Sequence, residues 1–427
     1  MIRLLLCLLM GIPLLASAST TSVIRAAALL DVESGRMLQN PVVLVEGDKI
    51  VDINPAAVPK DAINIDLPGM TLLPGFMDAH VHLAISDAKF RKTLLTENSA
   101  SAALRAAQSA QATLMGGFTT VRDLGQVNPS LELITVSVAD AITKGQIIGP
   151  QVIAAGHSIG INGGHVDPTM GYAEGRFELD WRYGVADGAE EAMKATRYQM
   201  KHGAKVIKIS ATAGVLSLES SVGAQQMTEE EMRAVVEEAA RHGIKVAAHA
   251  HGAEGIKAAV LAGVASIEHG SMVNSDIIRE MKKSGTYLVP TTGLLETIEL
   301  DGLEPEVQAK ANHILPLARD NLREAIKAGA LIALGTDAPL VPHGKNAYEF
   351  EAMVNRGMTP LQSIQSGTIK TADLFGLEDR GRLVKGLRAD IVAVPGNPLE
   401  DIKVLQQVGF VMKAGVVYLP ARLRQAN

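Results

Sequence analysis

The 427-residue chain is short of cysteine, of aromatic residues and of excess positive charge. It has 1 Cys, 1 Trp, 6 Tyr and 7 Phe, and its 40 Lys+Arg stand against 46 Asp+Glu for a formal net charge of −6. One cysteine excludes an internal disulfide framework. Without a basic excess there is nothing to hold a phosphate backbone, and so few rings leave no base-stacking surface, which excludes nucleic acid as a partner. With 47% hydrophobic and 20% charged residues the composition is that of a globular protein, not a disordered one.

Long apolar runs are also missing, apart from the first. Arg3 precedes an apolar core of twelve positions, Leu4 to Leu15, and Ala16-Ser17-Ala18 has the small residues of a cleavage site. That run is too short to span a bilayer. Residues 1–18 are therefore read as a signal peptide cut after Ala18, which removes Cys7 and leaves a periplasmic or secreted chain with no membrane attachment.

What the chain does contain is a repeated alternation of short apolar runs with Ala/Glu/Lys/Arg-rich stretches. Residues 229–242 place Met232, Val235, Val236 and Ala239 on one helical stripe, Gly243 stops the helix, and a strand is predicted from Ile244 to Ala248. Lys201-His202-Gly203 ends an earlier helix in the same way before a strand over Lys205 to Ser210. Eight strands are predicted near 73–83, 118–123, 151–157, 205–211, 245–250, 264–269, 286–291 and 331–336. Repeated βα units imply an α/β protein with a parallel sheet, either a closed (β/α)8 barrel or an open doubly wound sheet. The ends differ. Residues 22–71 and 382–427 hold short β-like runs separated by turns, neither rich enough in apolar surface to fold alone, and they are expected to meet in one small β-sandwich beside a domain spanning 72–381.

The predicted strand ends carry the chemistry. Strand one ends in Pro74-Gly75-Phe76-Met77-Asp78-Ala79-His80-Val81-His82, and period-two alternation turns His80 and His82 to the same side. Lys208 lies in strand four, His249 and His269 end strands five and six, and Asp337 ends strand eight. Imidazoles and a carboxylate gathered at one mouth are the ligand types of a zinc-like ion. Lys208 is either a lysine snorkelling to solvent or a neutral amine that has taken up carbon dioxide, giving an anion able to bridge two cations. The remaining histidines divide by context. His202 and His242 precede glycines at helix ends, where capping explains them, and His313 sits in a polar helical stretch. His157, His165, His251 and His343 lie in loops after strands, within reach of a substrate, with a structural role the equal alternative for His157 and His343. Arg182 and Lys345 read as solvated surface groups. Gly160-Ile161-Asn162-Gly163-Gly164 lacks the G-x-G-x-x-G spacing of a phosphate loop.

Taken together, PGFMDAHVH, KVIKIS, VAAHAHG, SIEHGS and GTDAP, with the tail GLRADIVAVPGNPL, resemble the amidohydrolase superfamily over nearly the whole mature chain. Within it the chain looks most like the Xaa-Pro dipeptidase and carboxypeptidase-like branch, which includes ochratoxin-degrading amidases. The resemblance implies a (β/α)8 TIM barrel with a small β-sandwich built from both chain ends. It implies two Zn2+ ions: His80, His82 and Asp337 on the first, His249 and His269 on the second, with N6-carboxylated Lys208 and a hydroxide between them. Asp337 would pass a proton from the hydroxide to the leaving nitrogen. The implied reaction is hydrolysis of the amide bond of an N-acyl-L-amino acid or dipeptide, including ochratoxin-type amides. His165, in Gly163-Gly164-His165, matches a substrate-contacting element of the branch, and His251 stands where many relatives carry Tyr, another donor to the carbonyl. Similar enzymes often assemble as octamers. A one-metal cyclic-amide hydrolase or deaminase of the same superfamily is the alternative, but those lack the strand-four lysine. A non-catalytic scaffold would have lost ligands that are all present here.

Overall fold

The computed structural model describes residues 20–419 except 87–95, 127–129, 220, 299 and 302. The expected signal peptide lies outside the described residues.

The N-terminal part forms strands β1 (Thr21–Leu30), β2 (Met37–Gln39), β3 (Val42–Glu46), β4 (Lys49–Ile53) and β5 (Ile63–Pro74). After Gly75 the chain enters β6 (Phe76–Val81), followed by β7 (Phe118–Asp123), β8 (Gln151–Ala154), β9 (Ile207–Ser210), β10 (Val246–Ala250), β11 (Ser266–His269) and β12 (Tyr287–Val289). It ends in β13 (Ile391–Pro395), β14 (Phe410–Lys413) and β15 (Val416–Leu419). The helices are α1 (Ser99–Met115), α2 (Ile134–Thr143), α3 (Gly188–Lys201), α4 (Glu229–Ala240), α5 (Ala253–Ala262), α6 (Ser275–Ser284), α7 (Leu294–Thr297), α8 (Pro305–Lys327), α9 (Tyr348–Asn355), α10 (Pro360–Ser366) and α11 (Ile369–Phe375).

The two chain ends meet in one mixed sheet of eight strands, β15-β14-β13-β5-β1-β3-β4, with β2 on β1. The join is made by β5, which is not among the strands predicted from sequence. It runs parallel to β1 on one side and antiparallel to β13 on the other. The sheet curls until Lys49 bridges Arg388, so that Ile24, Ile50, Phe410 and Met412 share one core.

The inner strands form two parallel groups, β6-β7-β8 and β9-β10-β11-β12. Every residue of β6 and β7 is buried, the pattern of parallel strands covered on both faces. Ile159 links β8's continuation to β9, accepting from Ser210 N at 2.9 Å and donating to Lys208 O at 2.8 Å. On the other side, segment 331–337 lies between β12 and β6: Ala333 N bonds Leu288 O at 3.0 Å, and Ala79 N bonds Leu334 O at 2.7 Å. This segment, expected as the eighth strand, makes one bridge, Leu288–Ile332, before Asp337 turns into left-handed backbone at φ 57°.

Local signals place these elements. Thr228 and Glu231 form a capping box at the start of α4, and Met232, Val235 and Ala239 bury its inner stripe. Gly243, at φ 67°, ends it, and Ile244 N bonds Ala239 O at 3.0 Å. That bond uses the residue expected to begin the next strand, so β10 starts two positions later. Helices α3 to α6 pack side by side in chain order. Gly75 lets β6 lie against β7, because a Cβ there would overlap the Thr119 side chain.

Candidate metal centre and substrate cavity

Strand order brings distant histidines to one place. His80 and His82 present Nε2 atoms 3.3 Å apart, and each is 3.3 Å from Asp337 Oδ1. His80 Nδ1–H donates to Glu268 Oε2 at 2.9 Å, and His82 Nδ1–H to the Gly125 carbonyl at 2.7 Å. With Nδ1 used on the far side, each ring turns Nε2, with the carboxylate oxygen, toward one point, and in the neutral rings that donor set fits a cation. His80, His269 and Asp337 form one group with ligand atoms mutually within 4.8 Å, and His249, His251 and His269 form another, with His269 common to both.

Supporting contacts aim the rings. His269 Nδ1 lies 2.9 Å from Thr291 Oγ1, His251 Nδ1 2.8 Å from Ser271 Oγ, and His165 Nδ1 2.9 Å from Ser217 Oγ. The His165 ring stacks on His249 with centroids 4.1 Å apart, which requires Gly214, since a Cβ there would overlap it. Three non-glycine residues of this site, His269, Thr291 and Asp337, have left-handed backbone at φ 67°, 48° and 57°. Such conformations cost about 1–3 kcal/mol each and persist where surrounding contacts impose them.

Burial dominates the electrostatics. It drives His249 and His269 well below the ordinary imidazole range and His251 down to about 3, so all three are neutral, the ligand form, at pH 7. Asp337 is opposite in outcome: burial works to raise it, but His80 and His82 hold its carboxyl well below the usual range. Burial lowers the Lys208 ammonium to about 8. Glu268 is held at about 2 against burial by Arg122, whose guanidinium donates to it at 2.8 Å, and by His80.

Glu268 and Arg122 were invisible in the linear pattern. Glu268 precedes His269, so strand alternation turns it from His269's face, and only the fold, which brings its carboxylate to His80, makes it that residue's support. The available signal was a charged residue within each of two short predicted strands, Glu268 in SIEH and Arg122 in FTTVRD.

A cavity of about 90 Å³ opens beside His165, His249, His251, His269 and Asp337. Its outer wall is aliphatic, with Leu294, Leu295 and Ile298 from α7 and its flank and Ile314, Leu315 and Ala318 from α8. Of the loop histidines expected near substrate, His165 and His251 line this cavity. His157 and His343 do not: His157 is buried beside Tyr183 with ring centroids 6.0 Å apart, and His343 Nδ1 lies 3.0 Å from Thr113 Oγ1. Arg182 is on the surface, paired with Asp180.

Residues 71–418 match the model of the Amidohydrolase family, and the chain belongs to that family. It is 34% identical over 430 residues to ochratoxinase of Aspergillus niger, covering 92% of this chain and 85% of that protein. The solved A. niger ochratoxinase superposes with a TM-score of 0.81 at 32% identity over 94% of this chain and 96% of the other. A Xaa-Pro dipeptidase with bound methionine in its active site superposes with a TM-score of 0.88 at 40% identity, covering 94% of this chain and all (100%) of that one. A prolidase complexed with N-methylphosphonate-L-proline gives a TM-score of 0.84 at 30% identity over 94% and 100%. The chain is a hydrolase acting on amide bonds.

Proposed function

We propose that this protein is a binuclear zinc amidohydrolase that cleaves the amide bond of N-acyl-L-amino acids or dipeptides. The observation that carries the reading is the pair of ligand groups sharing His269 at the mouth of one aliphatic cavity. His80, His82 and Asp337 would hold one Zn2+, His249 and His269 the other, with carboxylated Lys208 between them. Lys208 is buried and its amine lowered to about 8, so a usable fraction is neutral and open to carbon dioxide. Bound there, the two cations supply Lewis acidity for the carbonyl and for water.

The chain's own groups do the rest. Asp337 takes a proton from the attacking water and delivers it to the leaving nitrogen. His165 and His251 orient the carbonyl, and the aliphatic wall excludes water around the leaving amino acid. The bound methionine of the similar dipeptidase and the activity named for ochratoxinase support an apolar residue on the leaving side. The hydrogen bonds that link the two parallel strand groups on both sides support a closed (β/α)8 barrel over residues 72–381, with the curled outer sheet, 22–71 and 382–427, as its sandwich. We place the mature protein in the periplasm or outside the cell, cut after Ala18, as a homo-oligomer of octameric type.

The test is amino-acid release by zinc-loaded protein lacking residues 1–18 from a panel of N-acyl-L-amino acids and dipeptides. Release that is lost on chelation and restored by zinc is expected. No release from any member, or turnover by verified metal-free protein, refutes the reading.

A further inference from the structure

The aliphatic wall of the cavity is held from outside by residues that do not line it. Glu349, fully buried on α9, accepts from Thr292 N at 2.8 Å and Gly293 N at 2.6 Å, the two amides immediately before α7. Two helical turns later, at the end of the same helix, buried Arg356 donates Nε to Thr292 Oγ1 at 3.2 Å and Nη2 to Glu296 Oε1 at 2.5 Å. Four contacts thus converge on one short segment. A Cβ at Gly293 would lie 2.8 Å from Glu349 Oε2, so the backbone is pressed onto the carboxyl group.

This segment does two things at the site. Leu294, Leu295 and Ile298 form the cavity wall, and Thr291 meets His269 through its hydroxyl. Thr291 is a β-branched residue at φ 48°, a conformation its own chemistry disfavours and that neighbouring contacts must impose. The contacts that fix the residues following it are those of Glu349 and Arg356.

We propose that Glu349 and Arg356 are positioning residues that clamp segment 291–298, so that its aliphatic side chains select an apolar leaving amino acid while Thr291 aims His269. The selectivity half of this inference rests on the proposed amidase reading. The clamp itself does not, and the two are separable by experiment.

The test is Glu349→Gln in the zinc-loaded protein, read first by hydrogen exchange. The amide keeps one acceptor oxygen but turns an NH2 toward the second backbone N–H, so one of Thr292 N and Gly293 N loses its partner. Exchange over 291–298 is expected to quicken by about tenfold, with zinc content unchanged. In the same variant, the preference for a leucyl over an alanyl leaving group should fall by about tenfold, chiefly through KM. Unchanged exchange overturns the proposal, as does an equal loss for both leaving groups. Should the Gln variant not fold, Arg356→Gln serves: quicker exchange in the same segment supports the clamp and unchanged exchange overturns it. If the wild-type protein hydrolyses no amide, the functional reading fails, and the exchange result still decides the clamp.

Discussion

Replacing Glu268 with Gln isolates how the first ligand group is built. Glu268 is wholly buried and its carboxylate receives His80 Nδ1–H at 2.9 Å, Arg122 Nη2 at 2.8 Å and Ser266 Oγ at 2.5 Å. Gln keeps the shape and removes the charge. Arg122, only 2% exposed, is then an uncompensated buried cation, and breaking such a pair by removing one partner costs about 3–5 kcal/mol. The amide can accept from only one of these two donors: with its oxygen turned to Arg122, its NH2 faces His80 Nδ1–H, and the imidazole loses its fixed orientation. Losing a support of this kind lowers metal affinity about 10–100-fold. Zinc affinity is measured by competition with a chromophoric chelator, and stability by urea unfolding of the metal-free protein. The double variant Arg122→Met/Glu268→Leu separates the two effects. It removes both charges and should recover much of the stability while leaving zinc affinity low. Wild-type zinc affinity in Glu268→Gln would refute the assignment of Glu268 as the support of His80.

Lys208→Ala should fold and retain less zinc than the wild type, with turnover reduced by about three orders of magnitude or more; full turnover would end the two-metal reading. Gly214→Ala should displace the His165 ring from His249 and lower kcat/KM by about tenfold, with metal content unchanged; unaltered kinetics would remove His165 from substrate binding. Glu349 has a pH signature. Burial, reinforced by Asp78 on β6, outweighs the Thr292 and Gly293 amides and Arg356 and pushes its carboxyl up from 4.5 to about 8. Between these values the folded chain keeps a proton that the unfolded chain has released, so this contribution to stability is complete below pH 4.5 and declines as pH rises to about 8. The decline amounts to at most about 5 kcal/mol, and Glu349→Gln should lack it when the difference in urea midpoint is followed across that window. Parallel pH profiles for the two proteins would show that Glu349 does not titrate there.

Much of the molecule was legible locally. Gly243 and Gly203 stop helices whatever lies around them, and the Thr228–Glu231 box starts one, because these signals act within a turn of backbone. Period-two alternation set His80 beside His82, strand four supplied Lys208, and strand ends supplied His249, His269 and Asp337 as residue types of one chemistry. What sequence alone determined is therefore which groups exist and at which end of which element they stand. Only the tertiary structure decided who faces whom. It put Glu268 against His80 across 188 positions, grouped His251 with His249 and His269, and left His157 beside Tyr183, away from the cavity. It also set the aliphatic wall of α7 and α8 over the histidines and Glu349 behind that wall. These pairings depend on the closing of strands far apart in the chain. No local pattern encodes them, because a strand's alternation states which face a side chain occupies and says nothing of the neighbour that will meet it.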